Sequence, residues 1–330
     1  MKTYLVAISI AFASLLCPFQ SQATPRYRVV AIKIARPGTI HIRAFNDAGQ
    51  VIGWYEADNG QDKTLHAFLW ERGKTTDMGT LPGDKGSQPM GINAKGQVVG
   101  RSFGEDGQEH AFLWERGRMR ALHGTARQSS AWAINDRGQI VGSVQTASGR
   151  FQNVVWDKDK RTDLGFPHPK WKFLERTVLV GINDSGQMVG EYGDSDTSHK
   201  AVLWQNGDWH DLGTDDDAQS EAFAINRQGD IIGQRQFTHG EFHAFLWRHE
   251  KTEELTFDPK GVNDRGQVVG QRSGHLFLYE NGKTEDLETL MPEHGDGPFR
   301  VTAINNRSQI LCQDSKGVFV LVPAHAKFGR

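Results

Sequence analysis

Short apolar runs separated by glycine-containing turns follow one another along the chain, and no long helical pattern interrupts them. One ten-residue pattern returns with small changes, as in GINAKGQVVG, AINDRGQIVG, GINDSGQMVG and GVNDRGQVVG. In each copy an asparagine is followed by two variable residues, a glycine and an apolar stretch. Asparagine at the first turn position and glycine in a left-handed conformation suit a type I turn with a G1 bulge. The pattern therefore predicts a tight β-hairpin, formed by strands A and B.

The hairpin recurs along the whole chain. Alignment on its asparagine gives seven copies, at Asn46, Asn93, Asn135, Asn183, Asn226, Asn263 and Asn305. Successive copies are 47, 42, 48, 43, 37 and 42 residues apart. A period in the low forties is typical of β-propeller blades. The seventh copy departs from the pattern, because Ser308 stands at the glycine position and Cys312 at the strand end.

A second hairpin follows in each copy. The sequence HAFLW occurs three times, and QNVVW, KAVLW, HLFLY and GVFVL occupy the same place elsewhere. Such short unbroken apolar runs predict a strand buried on both faces, strand C. A polar turn such as ERGK and a strand such as TTDMG or WHDLG come next, giving strand D. Four strands per copy predict an all-β fold, a seven-bladed β-propeller with antiparallel blades.

Two further patterns fix the arrangement of the strands. Two residues before every repeat asparagine the chain has Ala or Gly, as expected where strands crowd around a central axis, so strand A is predicted to be innermost. The seventh copy ends before its strand D. The β-prone segment Tyr27–Ile34 lies at the right distance before Asn46 to supply that strand. We therefore predict that the amino-terminal strand closes blade 7 and leaves no free edge.

The amino terminus has the features of an export signal. Lys2 precedes an apolar run from Tyr4 to Leu16, and Ser21-Gln22-Ala23 forms a cleavage site. Residues 1–23 are thus predicted to be a signal peptide and 24–330 a single propeller domain, periplasmic or secreted. The apolar run is shorter than the ~20 residues that span a bilayer, so no membrane span is expected.

Composition excludes some functional classes. The formal net charge of −2 argues against a nucleic-acid partner, which requires a basic face. Cys312 is the single cysteine of the predicted mature chain, so no internal disulfide can form. We expect a monomer.

The combination of AINDRGQIVG, HAFLW and DLG resembles the HAF-repeat family of exported bacterial proteins. The resemblance extends over essentially the whole predicted mature chain. It implies an extracytoplasmic repeat protein with a β-propeller-like fold, and it carries no catalytic residues. The signatures of Trp-Asp and kelch propellers are absent.

Recurrent polar residues are first candidates for chemistry. His66, His110, His243 and His275 occupy equivalent positions in different blades, so hydrogen bonds at strand ends are favoured over a shared metal site. Acidic stretches at 58–62, 194–198 and 215–217 match no defined calcium loop, and whether one of them binds Ca²⁺ stays open. No nucleophile elbow, phosphate loop or Cys/His metal spacing occurs. We predict neither a metal site nor a cofactor.

The variable B–C and D–A connections emerge on one face of the propeller, which we call the loop face. Aromatic and arginine residues on variable loops of a rigid scaffold are typical of recognition sites. The candidate ligand-binding residues are Trp54, Tyr55, Arg101, Trp132, Trp171, Tyr192 and Arg235. The alternative is that some of these aromatic side chains only cap the blades. Blade 6 has the shortest connections, so the ligand is predicted on the side of blades 1 to 5.

Two functions remain open. The first is a non-enzymatic binding scaffold that recognises an exported glycan or a protein partner through the loop face. The alternative is a hydrolase or lyase that acts on an extracellular polysaccharide or peptide at the channel mouth, with His168, Glu191, Asp215 and His294 as candidate groups. A catalytic site needs converging titratable groups, whereas these are scattered along the sequence, which favours binding.

Overall fold

The computed structural model describes residues 26–326, except 37, 59–62, 123–126, 159, 166–175, 196–197, 213–216, 238–239, 241 and 292–298. The predicted signal peptide and the candidate residues Trp171, His168, Asp215 and His294 lie outside the described residues. Within the described part, no helix has the length and apolar character needed to cross a bilayer.

The strands form seven four-stranded antiparallel sheets, each of them one blade. Blade 1 contains β2 (Ile40–Phe45), β3 (Val51–Asp58), β4 (Lys63–Glu71) and β5 (Lys74–Asp77). Blade 2 contains β6 (Asp84–Ile92), β7 (Val98–Gly104), β8 (Glu109–Glu115) and β9 (Arg118–Ala121). Blade 3 contains β10 (Ser129–Ile134), β11 (Gln139–Gln145), β12 (Phe151–Asp157) and β13 (Lys160–Asp163). Blade 4 contains β14 (Arg176–Ile182), β15 (Met188–Ser195), β16 (Ser198–Gln205) and β17 (Asp208–Asp211).

The remaining blades repeat this order. Blade 5 contains β18 (Asp217–Ile225), β19 (Ile231–Phe237), β20 (Phe242–Arg248) and β21 (Lys251–Leu255). Blade 6 contains β22 (Asp258–Val262), β23 (Val268–Arg272), β24 (His275–Glu280) and β25 (Lys283–Asp286), followed by a short 3-10 helix (Leu287–Leu290). Blade 7 contains β26 (Arg300–Ile304), β27 (Ile310–Asp314), β28 (Gly317–Pro323) and β1 (Tyr27–Ile32). The predicted seven-bladed propeller is confirmed.

The first strand of each blade lines the central channel. These strands contact the first strands of the neighbouring blades all around the ring. The Ala and Gly residues lie where they meet: a β-carbon on Gly91 would stand 3.2 Å from the Cα of Ala133, and one on Gly261 3.3 Å from the Cα of Ala303. Larger side chains do not fit at this spacing. The prediction that strand A is innermost is confirmed.

Blade 7 is closed by the amino-terminal strand. β1 pairs antiparallel with β28 in a continuous register from Tyr27–Pro323 to Ile32–Val318. Tyr27 and Ile32 are buried, and each belongs to one of the two apolar clusters that flank blade 7. The amino terminus therefore contributes both ladder hydrogen bonds and core contacts to the last blade.

The A–B turns have the predicted geometry. The glycine of the turn has φ between 70° and 88° in six blades, and Ser308 takes φ 57° in the seventh. In blade 1, the backbone N–H of Gly49 donates to the carbonyl of Asn46 at 3.0 Å, and the Asn46 Oδ1 accepts from the N–H groups of Ala48 and Gln50. The asparagine thus fixes its own turn.

The same asparagines also join the blades to one another. The Nδ2 of each donates to the main-chain carbonyl of the asparagine in the next blade, at 2.9–3.2 Å. The bond from Asn305 to Asn46 completes a closed circle of seven, which we call the asparagine ring. All seven side chains are buried. The sequence predicts the turn but not this contact between blades.

The apolar core is divided into clusters that lie between adjacent blades. Phe112, from blade 2, packs with Ile52 and Ala67 of blade 1, and the other clusters follow the same scheme. The recurrent tryptophans Trp70, Trp114 and Trp156 are buried, as expected for packing anchors. Stability therefore depends on the contact of each blade with both neighbours.

Candidate functional site

The two ends of the central channel differ in size and chemistry. The end at the A–B turns, here the narrow mouth, encloses about 250 Å³. In most blades, the backbone N–H of the residue after the repeat asparagine donates to the side chain of the equivalent residue in the next blade. The Asp136 N–H donates to Asp184 at 2.9 Å, and the Asn306 N–H donates to Asp47 at 2.7 Å. The Arg227 guanidinium lies 2.8 Å from Asp184. These polar groups are bonded to one another, so the narrow mouth is structural.

The opposite end opens on the loop face, and we call it the wide mouth. It encloses about 630 Å³. Each innermost strand has a β-bulge three residues before its asparagine, which leaves one residue without a partner in the register. A bulge redirects a side chain. Five of these bulge residues line the cavity, namely Arg43, Val180, Phe223, Lys260 and Thr302.

The described lining of the wide mouth has an excess of positive charge. Arg43, Lys260 and Arg300 line it, and none of them has a carboxylate partner among the described residues. The Arg43 Nε donates to the carbonyl of Met90 at 3.2 Å. Desolvation by the surrounding protein, and then the charge of Arg101, lower the pKa of Arg43. Cations that lack a counter-charge in a concave site attract anions.

The candidates Trp54, Arg101 and Trp132 lie near the loop-face end of blades 1 to 3. Trp54 is half-buried in β3 and stacks on His41, with ring centroids 5.0 Å apart and planes at 11°. The Arg101 guanidinium donates to Gln88 and to Glu109, and it lies 5.6 Å from the Trp132 ring centroid. Arg101 and Trp132 are therefore brought together. Trp54 belongs to the neighbouring blade.

Tyr55 and Tyr192 occupy equivalent positions inside blades 1 and 4. Both are 5% exposed, and their hydroxyls donate to Asp77 at 2.5 Å and to Asp211 at 2.8 Å. Strands β3 and β15 extend through these positions, so the two rings are part of the sheets rather than of mobile loops. This arrangement leaves them little surface for a ligand.

Buried tyrosines predict a loss of stability at alkaline pH. Desolvation raises the pKa of Tyr27 to about 12, and desolvation with the hydrogen bond to Asp77 does the same for Tyr55. Between pH 10 and 12 the unfolded chain loses these protons before the folded protein does, so the free energy of unfolding falls as pH rises. The expected slope is roughly 1.4 kcal/mol per pH unit for each tyrosine. Urea unfolding across this range should show it, and Tyr55→Phe should reduce it. A free energy of unfolding that stays constant to pH 12 would contradict the prediction.

Arg235 lies over Phe237, 4.9 Å from its ring centroid, near the loop-face end of β19.

Blade 6 has connections as short as the sequence predicts, since two residues join β21 to β22 and two join β23 to β24. The cavity nevertheless includes Lys260 of blade 6 and Arg300 of blade 7, which are not among the candidate residues predicted from the sequence. The sequence contains one indirect sign of Lys260. The residue three positions before each repeat asparagine differs from blade to blade, whereas the next residue is always Ala or Gly.

Three of the four recurrent histidines form hydrogen bonds to nearby polar side chains, as predicted. His110 lies 3.0 Å from Asp84, His66 lies 3.2 Å from the Thr64 hydroxyl, and His243 pairs with Glu254.

Two groups of described residues have ligand atoms close enough to share a metal ion. The first is Glu191, His199 and Glu221, and the second is His275, Asp286 and Glu288. Nitrogen and carboxylate donors of this kind suit Zn²⁺. In the first group His199 is 3.0 Å from Glu221.

Comparison with known proteins identifies the fold alone. No family model matches the chain, and no curated protein matches it. Among solved structures, it is similar to YCF48 bound to a D1 peptide, with TM-score 0.53, 13% identity, and 91% of this chain and 97% of that chain covered. It is also similar to the propeller domain of the Trilobed protease from Pyrococcus furiosus (TM-score 0.54, 8% identity, 88% and 98% covered). A puromycin-hydrolysing peptidase from Mycobacterium tuberculosis has TM-score 0.59 and 10% identity, with 88% and 52% covered.

Proposed function

We propose that this protein is an exported, non-enzymatic binding scaffold that recognises a glycan or a protein partner through the loop face. The observation that carries the proposal is the wide mouth, an open cavity of about 630 Å³ lined by bulge residues that differ from blade to blade. Cavities of this size are typical of ligand sites. The narrow mouth differs, because its polar groups bond to one another.

Similarity to YCF48, whose structure contains a bound peptide, supports binding as a use of this fold. Export rests on the predicted signal peptide, and the resemblance to HAF-repeat proteins agrees with it. Hydrolysis is the second candidate, because the fold is shared with a peptidase. The chain covers 52% of that peptidase, which leaves nearly half of it without a counterpart here. No carboxylate is among the described residues that line the cavity, and Glu221 pairs with His199.

The test is a screen of residues 24–330 against glycan and peptide arrays, followed by substitutions on the two faces. Trp54→Ala, on the loop face, should weaken binding of a hit by ~2 kcal/mol, or about 30-fold in Kd, as for an interface anchor. Lys95→Ala, on an exposed A–B turn, should leave Kd unchanged. Isothermal titration gives both values, and thermal melts establish that each variant is folded. Loss of binding in Lys95→Ala with normal binding in Trp54→Ala would place the site on the other face.

A further inference from the structure

The wide mouth has two chemically different sides. The basic side comes from blades 6, 7 and 1, which contribute Lys260, Arg300 and Arg43. The apolar side comes from blades 4 and 5, which contribute Val180 and Phe223. A molecule that fits both sides carries a negative charge next to an apolar group.

No carboxylate is among the described residues that line the basic side. Arg300 lies five residues before the repeat asparagine of its blade. Among the described residues, Glu221 and Asp258 occupy the same position in blades 5 and 6, and neither of these carboxylates lines the cavity. Glu221 instead bonds to His199 at 3.0 Å. Lys260 and Arg300 are exposed to solvent, so their charges are available to a ligand. Arginine binds carboxylates with two parallel hydrogen bonds, which makes the carboxylate a well-matched partner.

The lining favours a peptide over a sugar. A sugar presents many hydroxyls and needs a matching set of neutral donors and acceptors. Gln271 and Thr302 are the neutral polar side chains among the described lining residues, and the Gln271 Oε1 already accepts from the backbone N–H of Val301 at 3.3 Å. Aliphatic lining residues such as Ile42 and Val180 suit an aliphatic side chain better than a hydroxylated ring.

We propose that the wide mouth binds a peptide segment through a carboxylate, held by Arg43, Lys260 and Arg300, with an adjacent aliphatic side chain packed on Val180 and Phe223. A volume of about 630 Å³ fits a few residues of an extended chain rather than a folded domain. The carboxylate belongs either to a chain terminus or to an Asp or Glu side chain. The proposal rests on the proposed function and narrows its ligand to an acidic and apolar peptide.

The experiment measures fluorescence anisotropy of labelled hexapeptides that carry leucine or valine next to glutamate. Each peptide is made with a free and with an amidated carboxyl end, and with glutamate or glutamine. Loss of binding on amidation identifies the terminus as the source, and loss on the change to glutamine identifies the side chain. Binding should weaken as NaCl increases from 50 to 300 mM, because salt screens the attraction.

Two arginines of blade 7 provide a matched pair. Arg300→Gln removes a charge from the wide mouth and should weaken peptide binding at least tenfold. Arg307→Gln makes the same change on an exposed A–B turn at the opposite face, and its Kd should stay within twofold of the parent. Phe223→Ala should reduce the preference for leucine over alanine in the peptide. Thermal melts verify that the variants are folded.

Each other outcome overturns the inference. Equal peptide affinities for Arg300→Gln and Arg307→Gln would show that the basic side holds no carboxylate. If no hexapeptide binds while an array glycan binds through Trp54, the peptide inference fails and the binding scaffold stands. If neither peptides nor glycans bind, both proposals fail.

Discussion

Deletion of β1 (Tyr27–Ile32) is expected to abolish cooperative folding. The deletion removes the whole ladder partner of β28 and exposes an edge whose residues Val318–Val322 are buried in the intact ring. It also removes Tyr27 and Ile32 from two clusters of the core. The loss should exceed the roughly 0.5–3 kcal/mol of a typical point mutation, and the open edge should promote aggregation.

Circular dichroism melts and size-exclusion chromatography of residues 24–330 with and without β1 measure this effect. Ala31→Thr is the control, because it changes an exposed position of the same strand and keeps the ladder. A deleted form that melts cooperatively at the parent temperature would show that the terminal strand is dispensable for the ring.

Asn183→Asp is expected to cost roughly 3–5 kcal/mol in the free energy of unfolding at pH 7. The Asn183 Nδ2 donates to the Asn226 carbonyl at 3.0 Å and to the Gln187 Oε1 at 2.7 Å. A carboxylate places a negative oxygen against these two acceptors in a buried site, whereas the bonds accepted from Ser185 and Gln187 remain. Urea unfolding should show the loss, and it should decrease as the pH approaches 4, where the carboxyl group can donate a proton.

Asp184→Asn is the matched control one residue further along the chain. The Asp184 Oδ1 accepts from the Asp136 backbone N–H, and an amide oxygen can take over that bond. The equivalent position of blade 7 already has asparagine, as Asn306. We expect a change below about 1 kcal/mol. A similar cost for both substitutions would mean that donation by the asparagine ring contributes nothing specific.

The repeats made the fold predictable because their constant residues are required by local backbone geometry and by local packing. The turn asparagine and the glycine after it define a hairpin within five residues, and the Ala or Gly two positions earlier shows which strand is crowded. Ring closure was predicted from the number of strands in each repeat. The seventh repeat lacks its last strand, and Tyr27–Ile32 supplies it. The asparagine ring could not be predicted in this way. The asparagine ring depends on the distance between neighbouring blades, and that distance is determined by closure of all seven blades into a ring.

The candidate site was predicted less completely for a physical reason. The sequence predicted ligand contacts in the variable connections. The strands extend further than expected and place Tyr55 and Tyr192 within the sheets. Two of the three cations of the wide mouth, Arg43 and Lys260, come from bulges inside the innermost strands, whereas Arg300 is paired with Gln313 in β26. A bulge is a feature of backbone register, and its side chain is redirected by the pairing of the strands rather than by any local motif. In the sequence, Arg43 and Lys260 therefore resemble ordinary strand residues, and their only distinguishing mark is variation from blade to blade next to a position that is always Ala or Gly.

The location of a bound ligand decides whether the wide mouth is the binding site. The measurement is a crystal structure of residues 24–330 with the tightest-binding molecule from the arrays. We expect the ligand to occupy the wide mouth, within hydrogen-bonding distance of at least two of Arg43, Lys260 and Arg300. A ligand bound at the narrow mouth, or on the outer edge of a blade, with the wide mouth filled only by water, would contradict it.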